Sequence, residues 1–419
     1  MKIVILNTSE RTGGAAVAAN RLSKALRKAG VEVSMLVRDR KTDDPAVASV
    51  NMSFIARKVN FIRFVWERLV IFVCNGFSRK NLFQVSIANT GTDITKHPLV
   101  KEADVIHLHW INQGFLSLGD LKKLTEMGKP IVWTLHDLWP ATAICHYPAG
   151  CERYQSGCQD CPMIQKNPII DLAATVFKRK GRIGLSTIHF VGCSQWITKE
   201  AKKGAWLKEA EFTSIPNPID ISVFKPMGKA EARKRFGLPE HTFLLLFAAA
   251  KLSDTRKGAA FLIEACERLQ KKFPNPIEIV LMGSSPEELI SGFPVKVNPL
   301  GYISDPASMV AAYASADLFV IPSLEDNLPN TIMEAMACGT PCVGFDTGGI
   351  PEMIDHKKNG YIARYKDAED LAAGIEWVLT NQTSLSLGEA CVDKVRTSYQ
   401  ESVVAGLYTG LYNRLVKKS

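Results

Sequence analysis

Short, unbroken apolar runs punctuate this chain where alternating ones would mark a half-exposed sheet. KIVILN opens it at residues 2–7. FLLLFAAA (243–250), EIVLMGS (278–284), DLFVIPS (317–323) and PCVGFD (341–346) repeat the style. A strand covered on one face alternates apolar and polar residues, while a strand covered on both is apolar throughout, as in a parallel sheet packed between helices. VEVSMLV (31–37), DVIHLHW (104–110), PIVWTLHD (130–137) and HFVGCS (189–194) read the same way. Between the runs, apolar residues recur at helical spacing. AAVAANRLSKALRKAG follows a Gly13-Gly14 loop and stops at Gly30, which suits a helix C-terminus. Segments 258–272, 306–315, 330–338 and 368–380 carry the same pattern, and 398–417 is a last helix.

Strand, glycine loop, helix and strand make the opening unit of a doubly wound sheet. PNPID (216–220) holds two prolines that no helix continues through, so it reads as a linker between two such series. The expected architecture is therefore α/β, with one Rossmann-like domain over 1–220 and a second over 221–397. A C-terminal helix over 398–419 is expected to return to the first domain. Ligands of such sheets bind beyond the strands' carboxyl ends, which makes a central cleft faced by both domains the expected site.

Length and charge sharpen this. The 419 residues suit two domains, and 46% apolar content supplies two cores. A net charge of +9 favours anionic ligands such as nucleotides, phosphates or an acidic membrane surface. Aromatics interleaved with basic residues in an RNA-binding signature are missing, so no nucleic-acid partner is expected. The start reads as a strand and loop, not a secretory leader. FIRFVWERLVIFVCNGF (61–77) is broken by Arg63, Glu67 and Arg68, short of the roughly 18 clean apolar residues a spanning helix needs. The expectation is a cytoplasmic protein, with contact at the inner face of the cell membrane as an extension of it. Its ten cysteines are expected to be mostly reduced.

Chemistry gathers at three strand ends of the second half. Lys251 closes one strand, and Arg256 and Lys257 precede Gly258 and a helix, where cations and backbone N–H groups would meet a phosphate. Ser323 closes the next, followed by Glu325, Asp326 and a helix carrying Glu334 in about its first turn. Such a carboxylate can accept from a vicinal diol like that of ribose, although, taken alone, compensation of the helix dipole accounts for it more readily. Gly348 and Gly349 follow the third strand and allow close backbone approach.

The stretch GYISDPASMVAAYASADLFVIPSLEDNLPNTIMEAMACGTPCVGFDTGGIPEMI (301–354) closely resembles glycosyltransferase family 4. KGAAFLIEA, IPNPIDISVF and the Gly13-Gly14 loop lie where that family has counterparts, so the likeness spans nearly the whole chain. It implies the GT-B fold of two Rossmann-like domains, and a retaining enzyme that uses a nucleotide diphosphate sugar, as in polysaccharide or lipid-linked glycan synthesis. By the same resemblance, Glu334 holds the donor ribose and Asp326, with seven residues between the two, faces the donor sugar or phosphates. Glu is the commoner residue at that first place, and Glu325 is adjacent, so both stand as candidates. Asn327 and Leu328 join the donor site. Lys251 stands where the family usually has Arg, with Lys257 as the second cation and Arg256 beside it; lysine keeps the charge but not the fork. Backbone near Ile303 would read the base, and Gly13 and Gly14 would make room for sugar and phosphate. His136 matches an active-site His that hydrogen-bonds the transferred sugar, with Asp137 a weaker candidate. The acceptor is expected at the first domain. No catalytic metal is expected, since cationic side chains can serve the leaving diphosphate.

Two further features are read from the residues. Cys145, Cys151, Cys158 and Cys161 include a C-x2-C pair, with His146 as a spare ligand, so a structural zinc, free thiols and disulfides are the three readings, with zinc foremost; some members of the family look similar here. Segment 55–83 mixes Arg57, Lys58, Arg63, Arg68, Arg79 and Lys80 with Phe61, Phe64, Trp66, Phe72 and Phe77, as either an interfacial helix on anionic lipid or a core helix with snorkelling ends. Against the transferase stand a sugar epimerase or phosphorylase on the same fold and a non-catalytic nucleotide-sugar binder. A panel of nucleotide sugars and acceptors, scored for nucleotide release and product, separates the three.

Overall fold

Alternate residues of the first strand feed two different cores, and this sets the architecture. In the computed structural model, which describes residues 1–165, 170–273, 276–284 and 286–418, Ile3 and Ile5 pack into one cluster while Val4 and Leu6 pack into another on the opposite face. An apolar run with both faces covered is what a central parallel strand requires.

The first unit holds residues up to Pro216 together with the chain from Val404 onward. Its strands are β1 (Lys2–Ser9), β2 (Glu32–Asp39), β3 (Val47–Ser49), β4 (Val105–Leu108), β5 (Ile131–Leu135), β6 (His189–Gly192) and β7 (Phe212–Ser214). They lie in the order β3-β2-β1-β4-β5-β6-β7, all parallel. Helix α1 (Gly14–Lys28) covers one face through Ala19, Leu22, Ala25 and Leu26. The C-terminal helix Glu401–Lys418 joins it there, burying Val404, Ala405, Tyr408, Leu411 and Tyr412. Tyr412 meets His107 of β4 at 2.7 Å, and Tyr408 meets Thr134 of β5 at 2.8 Å.

The second unit is Asn217–Val403. Its strands are β8 (Phe243–Lys251), β9 (Ile277–Ser284), β10 (Val297–Gly301), β11 (Leu318–Ile321), β12 (Cys342–Phe345) and β13 (Gly360–Ala363). The order is β10-β9-β8-β11-β12-β13, again all parallel. In both sheets the first strand lies centrally and the order reverses beside it, between β1 and β4 and between β8 and β11. Doubly wound folds carry their ligands at that reversal.

Several details depart from the expectations above. The chain passes between units at 216/217 and again at 403/404, not at 220 and 397. The last helix starts at Glu401, and a separate helix, Leu387–Ser398, precedes it. Tyr399 breaks the two because its carbonyl accepts the Ile219 N–H at 2.9 Å, which pairs the outgoing and returning segments within the second unit.

Gly258 illustrates how tightly loops close on the second sheet. Its φ of 72° lies in the left-handed region, and a Cβ there would overlap the Pro322 carbonyl at the end of β11. Gly258→Ala must therefore strain the backbone and push two loops apart. The expected loss is roughly 1–3 kcal/mol of stability in the second unit, read as a lower urea midpoint by tryptophan fluorescence and circular dichroism. An unchanged midpoint would show that the loop yields freely.

Candidate functional site

Because β8, β11 and β12 are neighbours, their carboxyl-end loops open side by side. Lys251 ends β8, exposed. A short 3-10 turn, Thr255–Lys257, follows, capped by Asp254, which also takes the Arg256 fork at 2.6 and 3.2 Å. Lys257 reaches across to the next loop and donates to Asp326 at 2.7 Å. Asp326 is thus the acid set against the cation, and Glu325 sits partly exposed beside it. Asn327 and Leu328 are buried at 3% and 7% exposure, as parts of the loop's footing.

Glu334 sits one turn inside the helix Asn330–Ala337, whose first turn holds no acid. Dipole compensation, which belongs to the first turn, is therefore not its role, and the expected first-turn placement is corrected. Its side chain is buried, and the Tyr313 hydroxyl donates to its Oε2 at 2.8 Å, fixing the rotamer. Gly349 donates its N–H to the Asp326 carbonyl at 3.2 Å. Gly348, at φ 60°, passes so close to that carbonyl that a Cβ would overlap it. The loop from β12 is thus seated on the loop from β11. Ile303 lies half-buried after β10, two strands from β8.

In the first unit the corresponding ends are those of β1, β4 and β5. Gly13 precedes α1 with φ 93° and open space where a Cβ would stand, and Gly14 begins the helix. His136 follows β5, partly exposed. Its Nε2 lies 2.8 Å from His109 Nδ1, and its Nδ1 lies 3.7 Å from the Cys193 sulfur. Burial pushes the His136 imidazolium down to about 4, with Asp137 pulling weakly the other way. His107 is pushed down to about 3 by burial and then by His136, and His109 falls well below the usual range for the same reasons. This histidine row is neutral at ordinary pH.

Asp137 has a structural post. Burial pushes its carboxyl up, but His146 at 2.6 Å, the Trp139 N–H and the Trp110 indole outweigh that and hold it below the usual range. Ser86 meets His146 Nε2 at 3.0 Å, which completes a Ser-His-Asp row. Ser86 has no exposed surface, so no substrate can reach that row, and it serves as a brace. Lys180, also buried, holds the carbonyls of Trp139 and Thr142 in the same loop. Cys145, Cys151, Cys158 and Cys161 form no disulfide, and Cys145 and Cys158 lie within reach of the Lys180 charge in this brace. Burial pushes Cys145 up to about 12 and Cys158 up to about 11. Among the described residues, no three His, Cys, Asp or Glu side chains are arranged to hold a metal ion.

Helix α2 (Phe54–Cys74) buries only a narrow stripe of Asn60, Glu67, Arg68, Ile71 and Cys74. Its opposite face exposes Phe54, Ile55, Phe61, Ile62, Trp66 and Leu69, with Phe61 65% and Trp66 52% exposed. It is no core helix. Among the described residues, no helix is long and apolar enough to cross a membrane.

The sequence reading missed His109 and Tyr313, and it placed His146 with the cysteines, not with Asp137 and Ser86. His109 had a signal, since HLHW and TLHD place histidines at the ends of what prove to be neighbouring strands. Tyr313 and His146 had none, because they reach their partners only through tertiary packing.

Two tandem doubly wound units, each with polar groups at its strand-order reversal, define the GT-B class of sugar transferases. Residues 12–223 match the model of Glycosyltransferase Family 4, and residues 243–381 match that of Glycosyl transferases group 1. The chain belongs to glycosyltransferase family 4 and is a sugar-transferring enzyme. It is 23% identical to a D-inositol 3-phosphate glycosyltransferase of Pseudarthrobacter chlorophenolicus, over 92% of this chain and 87% of that one. Sucrose-phosphate synthase from Thermosynechococcus elongatus has the same fold, with a TM-score of 0.68 at 20% identity and full coverage of both chains. Anabaena HepE in complex with UDP aligns with a TM-score of 0.64 at 16% identity, over 99% of this chain and 100% of that one.

The neutral histidines predict a pH effect. An unfolded histidine titrates near 6.5, whereas folded His136 and His107 resist protonation down to about 4 and about 3. Their contribution to stability is fully present above about pH 6.5. It is lost as pH falls towards the folded values, at up to about 1.4 kcal/mol per pH unit for each histidine. Urea midpoints at pH 7, 6 and 5 should fall steadily, and His136→Asn should flatten part of that slope. Midpoints level from pH 7 to 5 would contradict it.

Proposed function

We propose that this enzyme moves a glycosyl group from a nucleoside diphosphate sugar to a hydroxyl acceptor with retention at the anomeric carbon, in surface polysaccharide or lipid-linked glycan synthesis. The observation that carries this reading is the shared rim of β8, β11 and β12, where Lys251, Arg256 and Lys257 accompany Asp326, Glu334 and Gly348-Gly349. The family likeness supports retention and a nucleotide-sugar donor. The UDP and UDP-glucose complexes of Anabaena HepE make UDP-sugars the first donors to test.

In this reading Glu334, oriented by Tyr313, accepts hydrogen bonds from the donor ribose. Lys251, Arg256 and Lys257 face the diphosphate, whose charge grows as the bond to the anomeric carbon breaks. Fixed cations aimed at developing charge lower the barrier without reorganising. The acceptor oxygen bonds to the same face of the anomeric carbon, and its proton passes to the departing diphosphate oxygen. Neutral His136 serves the transferred sugar as a hydrogen-bonding group through Nδ1, which exchanges its long 3.7 Å contact with the Cys193 sulfur for the sugar.

A second part of the proposal is the acceptor's location. The exposed apolar face of α2 is flanked by exposed Arg57, Lys58, Arg79 and Lys80, and its one acid, Glu67, is buried against Arg68 and the Ile87 and Ala88 N–H groups. Apolar side chains edged by cations alone suit the surface of an anionic bilayer. A lipid-borne acceptor would be met there, at the cytoplasmic face.

Three measurements test these readings. Glu334→Ala should weaken donor binding at least tenfold in a thermal-shift titration with UDP-sugars, and proton NMR of the product should find the donor's anomeric configuration. Wild-type affinity in the variant would remove the ribose role, and an inverted product would remove retention. The protein should co-sediment with phosphatidylglycerol vesicles and not with phosphatidylcholine ones, and Phe61→Ser with Trp66→Ser should abolish this. Equal sedimentation of the double variant, or a stable dimer through α2 in place of vesicle binding, would overturn the membrane assignment.

A further inference from the structure

His107, His109 and His136 form one row of rings, the first pair tilted by 42° with centroids 4.4 Å apart and the second within 25° of parallel at 5.1 Å. Their hydrogen bonding is uneven. His107 has a partner at each nitrogen, Thr134 at 2.7 Å and Tyr412 at 2.7 Å. His136 has His109 at one nitrogen and Cys193 at the other. His109 is 3% exposed, and its Nε2 meets no protein partner. The Oδ1 of Asn112, 2% exposed, is in the same position. Both residues line one cavity of about 10 Å³, together with Trp110, Trp133 and His136. That volume is about the space one water centre occupies, and buried polar atoms left without partners are costly.

We infer that His109 is the positioning residue of His136, and that one water in this cavity bonds His109 Nε2 and Asn112 Oδ1 to complete the chain. The inference rests on the reading of His136 as the group that meets the transferred sugar. Two neutral imidazoles 2.8 Å apart share a single N–H···N bond, so one must carry the proton and the other must be bare at that point. The link therefore ties the tautomer of His136 to that of His109, and it fixes the His136 ring plane as well. The cavity water suits either assignment. It donates to the Asn112 oxygen, and it donates to a bare Nε2 or accepts from a protonated one. Because all three rings are neutral, the row sets orientation and proton position without adding charge to the site. An enzyme loses up to about a hundredfold in rate when a reacting group is displaced by an ångström, so a ring held from behind is worth more than a ring merely present.

The test uses the full chain. His109→Phe keeps the stacked ring but removes both nitrogens, while His109→Asn returns one polar group at the place of Nδ1. Nitrogen-15 spectra of labelled histidine should give His136 a single tautomer in the wild type and in His109→Asn, and an exchange-averaged mixture in His109→Phe. The turnover number should fall about ten- to a hundredfold in His109→Phe, with the donor KM little changed, and recover in His109→Asn. A His136 tautomer identical in all three proteins would overturn the positioning role whatever the activity does. Full turnover in His136→Ala would instead remove the reading of His136 and leave the spectra to judge the pair. A crystal structure at high resolution should find one water bonded to His109 Nε2 and Asn112 Oδ1, and an empty cavity there would overturn that part.

Discussion

The second unit turns on how the loop after β11 is gripped from both sides by backbone. Leu324 donates its N–H to the Arg256 carbonyl at 2.7 Å, and Gly349 donates to the Asp326 carbonyl at 3.2 Å. Thr347 and Tyr365 add hydroxyl bonds to the Leu324 carbonyl. These contacts require the chains to pass closer than any side chain allows, which is why Gly258 and Gly348 both stand in left-handed conformations against carbonyls of that loop. Once the three loops are joined, the positions of Lys257, Asp326 and Gly349 follow from the sheet. The Lys257–Asp326 contact is a consequence of that grip. A partly exposed ion pair is worth little by itself and would not hold the loops.

The first unit reaches a rigid strand-end rim by other means. Its loop after β5 is held by side chains that penetrate beneath it. Asp137 is bonded to His146, Trp110 and the Trp139 N–H, and Lys180 takes two carbonyls from below. Buried polar networks of this kind specify one conformation when every member is satisfied. Here the members are satisfied by elements distant in sequence, from Ser86 to Lys180. Burial pushes Lys180 well below the usual lysine range, and its amine donates to two carbonyls while standing 3.3 Å from the centre of the Trp139 ring.

That contrast explains which parts were legible in the sequence. Every central strand was, since coverage on both faces forces an unbroken apolar run. The four strands that were not, β3, β7, β10 and β13, are the four sheet edges. An edge strand is short and has one neighbour; β10 even contains Pro299, and β7 is only partly buried along its length. The glycines and cations of the second rim were legible because they sit on loops whose positions follow directly from the strands before them. Glu334 was legible as a candidate, though its burial and its tie to Tyr313 were not. The brace around Asp137 was illegible, because its logic lies in contacts between residues up to 60 positions apart.

The two rims also divide the electrostatic labour. The second unit's rim carries exposed or half-exposed cations, which can respond to a charged ligand without first being desolvated. The first unit's rim carries a neutral histidine whose protonation is opposed by burial and by a second ring at hydrogen-bond distance. A neutral ring can still give or take one hydrogen bond, and its direction is set by whatever stands behind it. On that argument the buried face of His136 matters as much as the face proposed to meet a sugar, and the fold places the second histidine there by bringing the ends of β4 and β5 side by side.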